Sequence, residues 1–422
     1  MTEAERVPLA VFERRESNVR SYCRNFPVVF ERASGHHLWD VSGRRYVDLL
    51  CGAGALNYGH NPPEIVERVM AYLAAGGPVQ SLDLHTAAKA EFLEQFTELV
   101  LEPRGFGDHV VQFPGPAGTL AVEAALKLAR KVTGRRRVIA FTGGFHGASL
   151  GALAATSAPL LRGGAGVPLR DVTILPYGDA PDATAALEEA LAPGSQVPAP
   201  AAILLETVQG EGGLHVAPTS WLTQIRELAD AVGALVVVDD IQAGCGRTGT
   251  FFSFEDAPGL DPDLVCLSKS LSGMGLPMAA LLIRRTYDRW APGEHNGTFR
   301  GNNLALVGAC AALDLWTDPH FTAHTAELTA AIRTGLESIT AALPASAAEV
   351  VGRGAMSGLR FKDPSHAARV QMSLFREGVI AETSGRGHVL KLLPPLTMPL
   401  TDWKEVLDVL GAAITERPSR AA

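Results

Sequence analysis

Leu235-Val236-Val237-Val238-Asp239-Asp240-Ile241-Gln242, followed by Val265-Cys266-Leu267-Ser268-Lys269-Ser270-Leu271 with Lys269 standing 30 positions after Asp239, decides how this chain is read. Each stretch is a short apolar, largely β-branched run of the kind that forms a buried strand. The first ends in a carboxylate and the second in a lone lysine among small residues. An ammonium at the end of a buried strand is costly unless it is paired or used chemically. Pyridoxal phosphate chemistry needs such a pair: a lysine amine that forms a Schiff base with the cofactor aldehyde, and a carboxylate that keeps the pyridine nitrogen protonated. The plainer alternative is a surface lysine at a strand terminus.

Around these two runs the pattern repeats. Strands are expected at 109–113, 138–141, 172–175, 202–205, 234–238, 264–267 and 279–283, with helical stretches between several of them, such as Ala121, Ala124, Ala125, Leu128 and Ala129 on one face. Continuous apolar strands alternating with helices predict an α/β fold. Its large domain would have a mostly parallel, seven-stranded sheet covered by helices on both faces. Ligands in such folds bind at the carboxyl ends of strands, where Asp239 and Lys269 fall.

The flanks read differently. A helix is expected around Glu16 to Tyr22, then a strand pair, 28–30 and 37–40, turning on Ala33-Ser34-Gly35. After Asn302 come a long helical region, strands at 358–361 and 389–392, and helices at 367–377 and 403–414. The expected division is an N-terminal part of a smaller α+β domain over 1–58, a large cofactor-binding domain over 59–305, and the C-terminal part of the smaller domain over 306–422.

The 422 residues are too many for one small core. A net charge of -8 argues against a nucleic-acid binder. The single basic cluster, Arg130-Lys131 with Arg135-Arg136-Arg137, reads as a solvated helix end. The five cysteines are odd in number and form no CxxC pair, so neither a disulfide framework nor a zinc site is expected and the compartment is read as the cytoplasm. No metal ligand set and no membrane span are expected, and the acidic first residues do not make a secretory signal.

Further motifs lie at strand ends. Pro114-Gly115-Pro116-Ala117-Gly118-Thr119 precedes a helix, and free amides there could hold a phosphate, although such residues are also common in turns. Thr142-Gly143-Gly144-Phe145-His146-Gly147 puts an aromatic face and a histidine after a strand, as a cofactor ring could use, or as an ordinary core phenylalanine and turn histidine would. Glu206-Thr207-Val208-Gln209-Gly210-Glu211-Gly212-Gly213 gathers two carboxylates and a glutamine in a glycine-rich loop.

In this order, the motifs resemble the class III aminotransferases of fold type I over nearly the whole chain. The diaminobutyrate:2-oxoglutarate 4-aminotransferases are the most similar group within them. The resemblance is carried by Leu56 to Asn61, Glu206 to Gly213, Asp239 to Gly249, Ser268 to Pro277 and Asn296 to Gly301. It implies pyridoxal 5'-phosphate as cofactor, with Lys269 as its Schiff-base partner and Asp239 on the pyridine nitrogen. Gln242 would lie near the phenolic oxygen, with Phe145 over the ring and His146 and Glu206 beside it. Gly118 and Thr119 would hold the phosphate, and Thr298 would reach it from the neighbouring subunit, which implies a homodimer or a higher homo-oligomer. Lys391 stands where many relatives have an arginine that grips the α-carboxylate of glutamate and pairs with the residue matching Glu211; Arg353 is a second cationic candidate. The implied partners are small amino acids and keto acids or aldehydes, and the implied reaction moves an amino group from L-glutamate to L-aspartate 4-semialdehyde.

Ala117 where the family has a hydroxyl residue, Leu120 for a polar one, Asp240 for a glutamate, and the composition of Val79 to His85 depart from the pattern. They leave other reactions on the same cofactor open: γ-elimination or γ-replacement, an aminomutase, or ω-amino transfer with another amino aldehyde. A catalytically idle relative is disfavoured by Lys269, Asp239 and Thr298 together. A nicotinamide dehydrogenase is disfavoured by the lack of a GxGxxG after the first expected strand.

Overall fold

The computed structural model describes residues 3–192, 198–344 and 347–415. Its strands, in chain order, begin with β1 (Phe30–Ser34), β2 (His37–Asp40) and β3 (Arg45–Asp48). The central group is β4 (His109–Gly115), β5 (Val138–Phe141), β6 (Val172–Leu175), β7 (Ala202–Leu205), β8 (Val208–Gln209), β9 (His215–Val216), β10 (Leu235–Asp239), β11 (Leu264–Leu267) and β12 (Ala279–Arg284). The last are β13 (Ala348–Arg353), β14 (Met356–Phe361), β15 (Val379–Ile380), β16 (Glu382–Ser384) and β17 (Val389–Leu392).

Seven of these form one sheet in the order β4-β12-β11-β10-β7-β5-β6. Parallel pairing joins β11, β10, β7, β5 and β6, and β12 alone runs against both of its neighbours. The expected mostly parallel sheet is therefore present, with its inner strands β5, β7, β10, β11 and β12 buried on both faces and the edge strands β4 and β6 half-buried. The helix Gly118–Thr133 packs Ala121, Ala124, Ala125, Leu128 and Ala129 against one face. On the other face Phe141, Tyr177 and Trp221 meet edge to face.

The terminal segments interlock. β15 adds in parallel to β3, with Val379 opposite Val47, and Tyr46 stacks on Phe375. A second sheet, β13-β14-β17-β16, is antiparallel throughout. It joins the rest through Leu393, whose N–H donates to the Leu49 carbonyl, and through the buried Arg247, which bonds Asn57 Oδ1 at 3.0 Å and the Pro394 carbonyl at 2.5 Å.

Two local expectations fail. No helix covers Glu16 to Tyr22: the N-terminal helix is Glu3–Arg15, and a single turn follows at Tyr22–Asn25. Ser17 and Asn18 lie between them, residue types whose side chains compete with helical backbone bonds. The basic cluster is not simply a solvated helix end. Arg135 donates to the carbonyls of Pro200, Val232 and Gly233, and the buried Arg137 to Thr173 Oγ1 and the Pro198 and Ala190 carbonyls. All five cysteines are free thiols. Among the described residues there is no metal-binding cluster and no helix long and apolar enough to cross a membrane.

Candidate active site

The carboxyl ends of β4, β5, β7, β10 and β11 converge on a cavity of about 280 Å³. Gly118, Thr119, Phe145, His146, Glu206, Glu211, Asp239, Gln242 and Lys269 all line it, so nine of the residues singled out in the sequence come together here. Parallel strands place their following loops at one edge of the sheet, and this convergence is the direct result.

Lys269 follows β11 with φ +51°, a left-handed conformation that turns the side chain off the strand. Its Nζ has no hydrogen bond among the described residues. Burial lowers its pKa to about 8, against the pull of the Glu211 carboxylate and with the push of the Lys391 charge. Asp239, at the end of β10, is buried; Oδ1 accepts from the Ile241 N–H at 3.2 Å and Oδ2 from His146 Nδ1 at 2.8 Å. Burial works against a charge on His146, but Asp239 outweighs it and the imidazole pKa is raised. Glu206 follows β7, and its Oε2 accepts from the Phe145 N–H at 3.0 Å, fixing the loop that carries the exposed Phe145 ring. Burial pushes its pKa up to about 7, although the nearby His146 pulls the other way.

Glu211 sits in the loop between β8 and β9. Its Oε1 accepts from Lys391 Nζ at 2.8 Å and from Gln242 Nε2 at 3.2 Å. Although burial opposes ionisation, Lys391 and Lys269 bring its pKa down to about 2. Lys391 lies behind the cavity wall with its ammonium fully buried, and reaches the cavity only through Glu211.

The Gly118–Thr133 helix starts without a side-chain cap on Ala117, which leaves the Gly118 and Thr119 amides free at its N-terminus. The Thr119 hydroxyl is 2.5 Å from Ser149 Oγ, which itself donates to Glu123 Oε1 at 2.8 Å. At Gly118 a Cβ would lie 3.0 Å from Ile241 Cδ1 and 3.1 Å from its Cγ2, so any larger residue would require the Ile241 side chain to shift by a few tenths of an ångström.

The cavity fits pyridoxal phosphate. Free helix amides suit a phosphate, a buried carboxylate suits a pyridinium, and an amine with no hydrogen bond suits an aldehyde. Gln242 borders the same cavity, its Nε2 donating to the Ala53 carbonyl and Glu211 Oε1 while its Oε1 is buried without a partner against Gly210.

Two expected residues lie elsewhere. Arg353 does not border the cavity, its guanidinium held by the Ser253 carbonyl and 3.5 Å from Asp256 Oδ2. Thr298 is exposed and does not line the cavity of its own chain, its carbonyl bonded by Gln80. Sequence reasoning gave Gly147 no role of its own and missed Ala148 in the lining. It also missed Glu382, whose Oε1 lies 2.8 Å from Lys391 Nζ. The signal for Glu382 was present as a single carboxylate after the apolar Val379-Ile380-Ala381. Asp240 is buried with Oδ1 unpartnered, and burial raises its pKa to about 7.

The profile of the family described as aminotransferase class-III matches residues 19–414. A diaminobutyrate–2-oxoglutarate transaminase of Oceanobacillus iheyensis is 46% identical over 419 residues, covering 98% of each chain. A second protein of that name, from Halalkalibacterium halodurans, is 49% identical over 394 residues, covering 92% of each chain. The solved ornithine aminotransferase of Toxoplasma gondii superposes with a TM-score of 0.86 at 25% identity, over 98% of this chain and 95% of that one.

Proposed function

We propose, for a chain that belongs to the class-III aminotransferases and is a pyridoxal-phosphate-dependent enzyme, that the reaction is transfer of the amino group of L-glutamate to L-aspartate 4-semialdehyde. The products are L-2,4-diaminobutyrate and 2-oxoglutarate. Near-full-length relatives of that name support the choice of substrates. The observation that carries it is one cavity bordered both by a lysine amine with no hydrogen bond among the described residues and by a carboxylate clamped to a buried second lysine.

Bound in the cavity, the cofactor supplies a pyridinium ring that delocalises the charge left when a proton leaves the substrate's amino-bearing carbon. Lys269 Nζ moves that proton. With a pKa of about 8, a useful fraction of the amine is neutral near neutral pH, as a general base requires. Asp239 would pair with the cofactor's pyridine nitrogen, and the 2.8 Å bond from His146 fixes the carboxylate's orientation. Phe145 and Ile241 would bound the space for its ring, Gln242 and Glu206 would stand at its polar edge, and the amides of Gly118 and Thr119 would take its phosphate.

One pocket has to accept an α-amine and a terminal amine in turn. The Glu211–Lys391 pair provides the gate. Closed, it neutralises the wall beside a terminal amine; opened, it offers Lys391 to the α-carboxylate of glutamate. A lysine there retains the charge of an arginine but lacks its bidentate fork. The exposed Thr298 fits a role on the neighbouring subunit's phosphate, which makes a homodimer the smallest competent unit. The same reading divides the chain at 58/59 and 305/306, and the free thiols suit the cytoplasm.

The test is the absorbance of the cofactor-loaded protein after L-glutamate or L-2,4-diaminobutyrate is added separately, without a keto acid. Bleaching of the yellow band by each donor is expected. A yellow protein that neither donor bleaches would refute the substrate pair.

A further inference from the structure

Lys391 faces two carboxylates, not one. Its Nζ is 2.8 Å from Glu211 Oε1 and 2.8 Å from Glu382 Oε1, with the Gly210 carbonyl at 3.2 Å. The two acids are held in different ways. Glu382 on β16 stands directly opposite Lys391 on β17 in the antiparallel register, so the pairing of the strands fixes their separation. Its side chain is buried, and the Tyr22 phenol lies near it. Glu211 belongs to the glycine-rich turn of Gly210-Glu211-Gly212-Gly213, and its side chain is 31% exposed toward the cavity. The backbone of that turn is latched, with Ser384 Oγ donating to the Gly210 carbonyl at 2.7 Å and the Gly385 N–H to the Glu211 carbonyl at 3.1 Å. Glu211 can therefore leave by side-chain rotation into the cavity, while the Glu382 side chain is enclosed and has no open space to rotate into.

We propose that Glu382 is the permanent counter-ion of Lys391, the positioning residue that keeps this ammonium charged and in place while Glu211 swings away to admit the α-carboxylate of an amino dicarboxylate donor. The proposal rests on reading Glu211 and Lys391 as the gate. If Glu211 were the sole partner, each opening would strand a fully buried ammonium, a state proteins avoid because the desolvated charge has nothing to offset it. With Glu382 in place the cluster passes from two carboxylates to one and back to two when the substrate carboxylate binds, and the ammonium is never unpaired. The like charge of Glu382 also loosens Glu211, since burial and then Glu211 itself raise the Glu382 pKa against the pull of Lys391. Glu382 thus makes opening easier, and its removal weighs on the donor that requires opening.

The experiment compares the two half-reactions of cofactor-loaded Glu382→Gln by rapid-mixing absorbance. The glutamate half-reaction is expected to lose about tenfold or more in its second-order rate constant, and the 2,4-diaminobutyrate half-reaction less than about threefold. Equal losses with both donors, or no loss with glutamate, would overturn the proposal. A second measurement uses the wild-type holoenzyme crystallised with glutarate, a dicarboxylate without an amine. Glu211 should be displaced while Lys391 Nζ stays within hydrogen-bond distance of Glu382; a Lys391 that leaves Glu382 would overturn the proposal even if Glu382→Gln does not fold. A wild type that neither donor bleaches would count against the substrate assignment instead, and the glutarate structure would still decide the role of Glu382.

Discussion

Replacing Lys269 by Met should make the cofactor-free protein more stable at neutral pH, and the gain should fade in alkali. Burial lowers the Lys269 pKa from 10.5 to about 8, and the Glu211 carboxylate only partly opposes it. At about 1.4 kcal/mol per pKa unit, this sets about 3 kcal/mol against the folded state. Linkage fixes the window. Below about pH 8 the lysine is protonated both folded and unfolded, and the whole cost is present. Between about pH 8 and 10.5 the unfolded chain holds a proton that the folded chain does not, so wild-type stability rises with pH. Above that range nothing remains. The left-handed backbone at Lys269 is common to both proteins, because Met is no freer than Lys at positive φ. Better packing by the thioether would add a term that does not vary with pH, so the pH dependence is the diagnostic part. The assay is urea unfolding of both cofactor-free proteins at equal concentration, which holds any effect of association constant. A gain that is the same at neutral and alkaline pH, or a wild type as stable as the variant at neutral pH, would refute the account of Lys269 as an ammonium held under strain for use as a base.

Other consequences follow from the same geometry. Asp239→Asn should lower the rate of either half-reaction by about 10²–10³-fold, as for loss of a preorganised charge, and should lower the His146 pKa, which NMR titration of the imidazole would show. Gly147→Ala would put a Cβ 2.2 Å from Thr119 Oγ1 at a φ of +123°, so cofactor affinity in a fluorescence titration should fall by about tenfold or more; unchanged affinity would show that the Thr119 turn is not part of the phosphate site. Lys391→Met should destabilise the fold by about 3–5 kcal/mol, because it leaves Glu382 buried without a cation, and Glu382→Leu in the same background should recover much of the loss. A double variant no more stable than the single would contradict that.

The large sheet and most of the cavity were legible in the sequence because parallel strands make local signals. Each is an apolar run, each is followed by a loop at the same edge, and the chemistry sits immediately after the run: Asp239 after β10, Lys269 after β11, Phe145 and His146 after β5, Glu206 after β7. No long-range knowledge is needed to place them at one edge once the fold class is known. The sequence therefore determined the fold class, the cofactor type and most of the residues that line the cavity. Only the tertiary structure decided the rest, because it depends on strand register and on charges meeting over long separations. Lys391 finds Glu211 from 180 positions away, and its opposition to Glu382 comes from the pairing of β16 with β17, which no pattern of residues announces. Arg353 and Lys391 look alike as lone cations in the sequence. Packing separated them, committing one guanidinium to Ser253 and Asp256 and burying the other charge between two carboxylates at the wall of the cavity.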